Sequence, residues 1–105
     1  MLVNGRAGMY NICIVILWDP EKARSNHQKH GVRFSDAETV LFDPLAITTE
    51  DETADEERRF VTIGLDAVGR ILVVVYCYRG DDIRLISARS ANHKERQQYE
   101  EGIRL

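Results

Sequence analysis

The pattern of apolar and polar positions predicts a sheet of short strands. Runs rich in Val, Ile and Leu with strand length are Asn11–Trp18, Phe60–Leu65, Ile71–Tyr78 and Ile83–Ala88. Turn-forming residues separate the last three runs, which therefore form an antiparallel meander. The sequence at 71–75 is apolar at every position, which is typical of a central strand covered on both faces. A shorter strand is expected over Leu45–Thr49.

Start and stop signals predict three helices around this sheet. The start signals are Asp19 followed by Pro20, the capping box from Ser35 to Glu38, and the pair Asn92 and Glu95 at capping-box spacing. The expected ends are Gly31, the residue before Pro44, and Gly102. The first helix is polar and ends at about His30. The third helix closes the chain.

The length of 105 residues predicts a single domain over residues 1–105, of the α+β class. Met1–Gly8 has no hydrophobic periodicity, so we expect a flexible lead-in, with Met9 as an alternative start. The apolar run ending at Trp18 is far shorter than the roughly 20 residues of a membrane helix, and no leader pattern precedes it. We therefore expect a cytoplasmic protein without a membrane partner, in which Cys13 and Cys77 are free thiols.

The charges are distributed unevenly along the chain, although the formal net charge is only -3. Six acidic residues lie between Glu50 and Glu57, where we expect a solvated loop. From Arg58 to Tyr99 there are eight Lys or Arg against four Asp or Glu. A basic working surface is therefore compatible with an acidic total.

Several blocks in fixed order resemble the BrnT family of toxins. They include Trp18–Ala23, Lys29–Val32, Ser35–Ala37, Asp43–Pro44, Glu57 with Arg59 and Gly64, Gly69–Tyr76, Arg79–Gly80, Ile83–Arg84 and Ile86–Arg89. The resemblance covers nearly all of the chain from Trp18 to Gly102. The chain departs from the pattern at His27, where leucine is common, and at Asn92 and His93.

This resemblance implies a RelE-like fold, in which a curled antiparallel sheet carries two N-terminal helices and a C-terminal helix. It also implies a ribonuclease toxin of a type II toxin-antitoxin system, whose cleavage of RNA inhibits translation and growth. The implied partner is a BrnA-like ribbon-helix-helix antitoxin, and DNA is contacted only through the toxin-antitoxin complex. RNA is the implied substrate, and no cofactor is expected.

RNA cleavage without a metal requires a base for the ribose 2′-hydroxyl, cations for the charge on phosphorus, and a proton for the leaving oxygen. Arg59, Arg79 and Arg89 lie at the ends of the three long strands, where we expect them to converge on one phosphate. Lys29 and His30 close the first helix and are the acid-base candidates. Solvated strand ends and favourable contacts with the helix dipole are the structural alternatives for these residues.

Arg84, Lys94 and Tyr99 are the expected RNA-binding residues, with exposure of Arg84 and packing of Tyr99 against the sheet as alternatives. Arg70 is expected to be an exposed turn residue. For Glu95, the capping box is an alternative to catalysis. His27 is expected to face the core. His27 and His30 could share a helix face, but no third ligand is evident, so no metal site is predicted.

Two further functions compete with the ribonuclease interpretation. A non-catalytic interaction or regulatory domain could keep the toxin fold and act only as an antitoxin-bound co-repressor. A direct DNA-binding repressor is disfavoured, because the sequence has no helix-turn-helix pattern and its total charge is acidic.

Overall fold

The computed structural model describes residues 2–7, 12–52 and 57–103, with side chains described for 14–52 and 57–102. The elements in chain order are β1 Leu2–Ala7, β2 Ile12–Leu17, α1 Pro20–His30, α2 Phe34–Val40, β3 Ile47–Asp51, β4 Arg59–Leu65, β5 Ile71–Arg79, β6 Asp82–Ser90 and α3 His93–Ile103. They build an α+β fold around one curled, open sheet with strand order β1-β2-β6-β5-β4-β3. The predicted fold class is confirmed.

The strand pairing combines the predicted meander with one parallel contact. β3, β4, β5 and β6 pair antiparallel with their neighbours in the chain, as the short turns require. β2 instead lies parallel to β6, through Ile16 opposite Ile83 and Leu17 opposite Arg84. The chain that connects these two strands comprises α1, α2, β3, β4 and β5, far more than the dozen residues that a parallel connection needs. Hydrophobic patterning does not reveal this partner, because the two strands are far apart in sequence.

The N-terminal segment differs from the expected lead-in. Leu2–Ala7 forms β1, which pairs antiparallel with β2 over six residue pairs, from Leu2 opposite Leu17 to Ala7 opposite Ile12. Backbone groups supply these hydrogen bonds, so a strand here needs no alternating side-chain pattern. Met9 lies outside the described residues.

Helix α1 has both of its predicted ends. The Asp19 side chain accepts a hydrogen bond from the Glu21 N–H at 2.8 Å, and Pro20 occupies the first turn. Gly31 ends the helix in the left-handed conformation at φ 69°, and its N–H donates to the His27 carbonyl at 2.9 Å. A side chain with a Cβ is strained there, which explains why glycine is the stop.

Helix α2 begins earlier than its predicted capping box. Arg33 is the N-cap and makes no side-chain capping bond, so Ser35 lies inside the first turn. The helix starts earlier because a start at Phe34 buries that ring almost completely in the core.

Helix α3 has the predicted capping box. The Glu95 N–H donates to Asn92 Oδ1 at 2.8 Å, and the Asn92 N–H donates to Glu95 Oε1 at 2.9 Å. Gly102 is not the stop, since the helix continues to Ile103. No helix among the described residues is long and apolar enough to cross a membrane.

Strand β3 starts two residues later than predicted. Asp43 Oδ1 accepts a hydrogen bond from the Leu45 N–H at 3.0 Å, a turn that delays the strand and leaves Leu45 exposed. The strand then extends through Glu50 and Asp51, so the acidic segment is partly strand rather than wholly loop. Residues 53–56 of that segment lie outside the described part.

The sheet has a core on each face. Helices α1 and α2 cover one face, where the buried side chains include Ile16, Phe34, Val40, Leu72, Val74 and Leu85. Helix α3 covers part of the other face, where Ile63, Val73, Ala91 and Tyr99 are buried together. The central strand β5 is therefore covered on both sides over much of its length, as its continuous apolar run predicts. The second face is the one that carries the candidate site.

The turn before β5 contains an arginine that the sequence placed in solvent. Arg70 instead donates from Nε and Nη2 to the buried Asp66 carboxylate, at 2.9 Å in both contacts. Its Nη2 also lies 3.1 Å from Asp36 on α2. Arg70 therefore ties the turn to α2.

Candidate functional site

Three arginines project from one face of the sheet, at the end where β4 and β6 begin and β5 ends. Arg59 lies opposite Cys77 across β4 and β5, and Cys77 lies opposite Arg84 across β5 and β6. Cross-strand partners project from the same face, as do residues two apart on one strand. Arg79 follows Cys77 by two residues and joins the same group. We call Arg59, Arg79 and Arg84 the arginine cluster.

The Cys77 thiol lies at the centre of this cluster. It is buried and donates a hydrogen bond to Glu57 Oε1 at 3.6 Å. Burial raises the pKa of the Cys77 thiol, and the negative charge of Glu57 raises it further, while Arg79 and Arg84 oppose this shift. A raised pKa keeps the thiol neutral near pH 7, and the opposing effects show that charges of both signs lie close to it. Cys77 is a free thiol, as predicted.

Carboxylates accompany the arginines in the cluster. Arg79 Nη2 lies 3.5 Å from Glu57 Oε1. Asp51 is the cross-strand partner of Arg59, and Asp82 is that of Arg79. The site is therefore a group of alternating charges, and a phosphate must compete with these carboxylates for the guanidinium groups.

A shallow groove beside β6 contains both predicted acid-base candidates. Lys29 and His30 line this groove together with Ile86 and Ser87. Ser87 lies opposite Val75, so it projects from the face that carries the cluster, beyond the bulge at Val75 and Tyr76. Successive positions on one face of a strand lie about 7 Å apart. Lys29 and His30 therefore lie beside the edge of β6, next to one residue, Ser87, of the face that carries the arginine cluster.

Asn26 fixes helix α1 against the exposed edge of β6. Its Nδ2 donates to the Ala88 carbonyl at 2.8 Å and to the Val32 carbonyl at 2.9 Å, while its Oδ1 accepts from the Ala88 N–H at 3.0 Å. The amide thus supplies the hydrogen bonds that a neighbouring strand would make. Lys29 and His30 follow on the same side of the helix, at the three- and four-residue spacings.

Sequence reasoning counted Asn26 among the residues that match the family but gave it no role, and it expected the neighbouring His27 to face the core instead. His27 is exposed and lines a groove with Trp18 and Phe34, whereas Asn26 is 6% exposed. Asparagine is unfavourable inside a helix because its side chain competes for backbone hydrogen bonds. An asparagine in mid-helix was therefore the signal that a side-chain bond to distant backbone exists here.

Arg89 lies far from Arg59 and Arg79. This position corrects the expectation that these three arginines converge on one phosphate. It lies opposite Val73, six residues from Arg79 along β5, or about 20 Å at the usual rise of a strand. Strand β6 runs opposite to β5, so its C-terminal end lies at the far end of the sheet. There Arg89 donates from Nη1 and Nη2 to Glu95 Oε1 and Oε2, each at 2.8 Å.

The expected RNA-binding residues of helix α3 lie near this far end. Tyr99 is buried at 3% exposure, and its hydroxyl donates to Asp43 Oδ2 at 2.6 Å. Of the two alternatives for Tyr99, the structure shows the packing of its ring on the sheet, which leaves the ring too buried to stack on RNA. Burial, followed by the bond to Asp43, raises the pKa of Tyr99 to about 12. Lys94 is exposed in the first turn of α3, and its role in RNA binding stays a prediction.

Potential metal ligands do not gather in the described part of the chain. Among residues 14–52 and 57–102, no three His, Cys, Asp or Glu side chains form a group with metal-binding geometry. His27 and His30 are both exposed on α1.

Comparison with known proteins identifies the family. Residues 18–95 match the family described as ribonuclease toxin, BrnT, of type II toxin-antitoxin system. The chain belongs to the BrnT family. The fold is also similar to the crystal structure of the Brucella abortus ribonuclease toxin BrnT, with 30% sequence identity and a TM-score of 0.59. That similarity covers 74% of this chain and 96% of the Brucella chain. Among curated protein sequences, none matches this chain significantly.

The BrnT match includes every residue of the arginine cluster and of the groove. It begins at Trp18, directly before the Asp19 cap, and ends at Glu95, within the first turn of α3. Strands β1 and β2 lie outside it. Membership of a type II toxin-antitoxin family implies an antitoxin as the partner of this chain.

Proposed function

We propose that this chain is an endoribonuclease that cleaves RNA without a metal cofactor, at the face of β4, β5 and β6. The observation that supports this most strongly is the position of Arg59, Arg79 and Arg84 on one face of the sheet, around Cys77. Guanidinium groups match the oxygens of a phosphate with a rigid fork of donors. Three of them on one face suit a reaction that builds negative charge on phosphorus.

The arginines bind the scissile phosphate and stabilise the charge that develops during attack by the 2′-hydroxyl. Lys29 and His30, beside the edge of β6, exchange protons with the reacting oxygens. Such a reaction leaves a 2′,3′-cyclic phosphate on one product and a 5′-hydroxyl on the other. Arg89 has a different role in this proposal, because its guanidinium holds α3 through Glu95.

The partner in this proposal is a BrnA-like ribbon-helix-helix antitoxin that covers the arginine cluster. An antitoxin that blocks the phosphate site should present carboxylates to these guanidinium groups, so association should weaken as salt increases. DNA is contacted only through that complex. Because RNA is the substrate and translation the process inhibited, the proposed compartment is the cytoplasm.

Cleavage of a defined RNA by the purified chain in excess EDTA tests the proposed function. We expect cleavage products with cyclic phosphate ends, and no cleavage of the same substrate with 2′-deoxyribose at the cut position. The antitoxin should abolish the reaction at equal concentration. Activity that disappears in EDTA and returns with a divalent cation would contradict the metal-free mechanism. Antitoxin binding without any cleavage would favour the non-catalytic co-repressor instead.

A further inference from the structure

Glu57 places a carboxylate inside the arginine cluster. It precedes β4 by two residues, and its Oε1 lies 3.5 Å from Arg79 Nη2 and 3.6 Å from the Cys77 thiol. Its side chain is 44% exposed, so a ligand on this face can reach the carboxylate. The sequence pattern assigned Glu57 to an acidic solvated loop, but the structure brings it to the candidate site.

Three other carboxylates, those of Glu50, Glu95 and Asp43, are held by shorter contacts. Glu50 accepts two hydrogen bonds from Arg58 at 2.8 and 2.9 Å, and Glu95 accepts two from Arg89 at 2.8 Å. Asp43 accepts three hydrogen bonds, from Leu45, Leu65 and Tyr99, at 2.6 to 3.0 Å. By comparison, the contact of Glu57 with Arg79 is long, and its other partner, the Cys77 thiol, is a weak donor. Its oxygens are therefore available to accept a proton from a bound ligand.

Glu57 and the groove of His30 lie at different points around the arginine cluster. On the side of β6 away from β5, the neighbour of Arg84 is Leu17 of β2, and the groove lies further along β6, at Ile86 and Ser87. Glu57 approaches from the β4 and β5 side of the face, whereas His30 lies beyond β6. Displacement at phosphorus is in line, so the entering and the leaving oxygen are on opposite sides of the phosphate. A phosphate bound by the arginines beside Glu57 would therefore have a base on one side, with its leaving oxygen directed away from Glu57.

We propose that Glu57 is the general base of RNA cleavage, an inference that rests on the proposed function. The carboxylate takes the proton of the ribose 2′-hydroxyl while the 2′-oxygen forms its bond to phosphorus. The bond from phosphorus to the 5′-oxygen breaks, and that oxygen takes a proton from His30 or from water. The products are a 2′,3′-cyclic phosphate and a 5′-hydroxyl, and no oxidant or other co-reactant is needed.

A competing role for Glu57 predicts the opposite effect on the rate. If the carboxylate only occupies the phosphate site of the free protein, its removal should free Arg79 and increase both RNA binding and cleavage. If it acts as the base, removal should slow cleavage even though binding stays the same or becomes tighter. The sign of the change therefore separates the two roles.

The experiment compares the full chain with Glu57→Gln, and with Glu100→Gln on the exposed side of α3 as a matched control. Single-turnover cleavage in EDTA is measured as a function of pH, beside thermal melting and binding of the uncleavable 2′-deoxy substrate. Removal of a general base typically costs about 10²-fold to 10⁴-fold in rate. We expect the cleavage rate of Glu57→Gln to be at least about 10²-fold below the parental rate and not to decrease further at low pH. Glu100→Gln should have the parental rate and the parental decrease at low pH. Binding should not weaken.

The charged and titratable groups that face Glu57 could also make the cleavage rate depend on pH. The Glu57→Gln variant separates their effects from that of Glu57. They are Arg59 on β4, Cys77 and Arg79 on β5, Arg84 and Asp82 on β6, and Asp51 on β3. A decrease at low pH that persists in Glu57→Gln belongs to one of these groups or to His30, and would contradict the inference.

A parental or increased rate in Glu57→Gln, while the parent cleaves in EDTA, would overturn this inference and leave the proposed function intact. A parent that does not cleave would overturn both. If Glu57→Gln melts at a much lower temperature than the parent, a low rate could reflect unfolding, and Glu57→Asp is then the variant that tests the inference. That variant keeps a carboxylate on a shorter side chain, so it should be slower but retain the parental pH dependence. A pH-independent rate in Glu57→Asp would contradict the inference.

Discussion

Arg89 and Glu95 form a two-pronged ion pair, in which both guanidinium Nη atoms lie 2.8 Å from the two carboxylate oxygens. Glu95 also accepts the Asn92 N–H, so one carboxylate joins the end of β6 to the start of α3. The hydrogen bond from Arg89 lowers the pKa of Glu95, and the same contact raises the pKa of Arg89. This pair therefore holds the start of α3 at the end of β6.

Arg89→Ala should lower stability while leaving RNA cleavage nearly intact. Both partners are partly exposed, so we expect a loss of only about 1 kcal/mol in the free energy of unfolding. The cleavage rate should stay within about threefold, well below the cost of removing a transition-state donor. Urea unfolding and single-turnover cleavage measure the two effects, with the exposed Arg96→Ala as control. A loss of about 10²-fold in rate at unchanged stability would instead make Arg89 a phosphate ligand.

Asn26→Ala should be among the most destabilising single changes on α1. It removes three hydrogen bonds and leaves the Ala88 N–H and carbonyl and the Val32 carbonyl without this partner. At about 1 to 3 kcal/mol for a buried unsatisfied group, we expect a total loss of about 2 to 4 kcal/mol. Gln28→Ala, on the exposed side of the same helix, should change stability by less than about 0.5 kcal/mol. Equal melting of the two variants would mean that Asn26 does not hold α1 on the sheet.

Gly64→Ala should destabilise the sheet because three groups already surround this position. An added Cβ would lie 2.9 Å from Val40 Cγ1, 3.1 Å from Ala46 Cβ and 3.2 Å from Asp43 Oδ2. Overpacking of this kind costs about 1 to 3 kcal/mol. Gly102→Ala is the matched control, since its Cβ would meet Ile47 at an ordinary 3.8 Å. In denaturant melts the control should equal or exceed the parent, and a Gly64→Ala protein as stable as the parent would show that this packing can relax.

Tyr99 should make the fold sensitive to alkali. Its folded pKa of about 12 lies above the usual value of 10.0, first because of burial and then because of Asp43. A group with a raised folded pKa contributes stability below its unfolded pKa and loses that contribution as pH rises through the folded value. Thermal midpoints of the parent should therefore decrease between about pH 10 and 12. Tyr99→Phe should decrease much less over this range, and parallel curves for the two proteins would refute the assignment.

Asp43, which accepts the hydrogen bond from the Tyr99 hydroxyl, should make the stability of the fold depend on pH in acid. Burial raises the pKa of Asp43, but hydrogen bonds from the Leu65 N–H, the Tyr99 hydroxyl and the Leu45 N–H outweigh this effect and leave it below its ordinary value. A group with a lowered pKa contributes stability above its unfolded pKa and loses it as pH falls through the folded value. Asp43→Asn should therefore be least harmful in acid, and thermal melts from pH 2 to 7 should show the difference from the parent shrinking as pH falls. A constant difference would contradict this.

Local sequence signals predicted the features that depend on neighbouring residues. The Asp19 cap, the Gly31 stop and the box between Asn92 and Glu95 are confirmed because each uses backbone groups within four residues. The meander is confirmed for the same reason, since short turns determine which strands pair.

Features that depend on distant partners could not be predicted in this way. Arg79 and Arg89 both end a strand in the sequence, but only the antiparallel direction of β5 and β6 shows that they lie at opposite ends of the sheet. The role of Asn26 depends on Ala88, sixty-two residues away. Glu57 reaches the site through contacts with β5, which an acidic run in the sequence does not indicate.

Cleavage by Arg84→Ala tests most directly whether the arginine cluster carries the reaction. The assay is single-turnover cleavage of a defined RNA in excess EDTA by the parent, Arg84→Ala and the exposed Arg96→Ala, each checked by thermal melting. We predict that Arg84→Ala loses about 10²-fold or more, roughly 3 kcal/mol of transition-state stabilisation, while Arg96→Ala cleaves at the parental rate. Parental cleavage by a folded Arg84→Ala protein would contradict the assignment of RNA cleavage to this face.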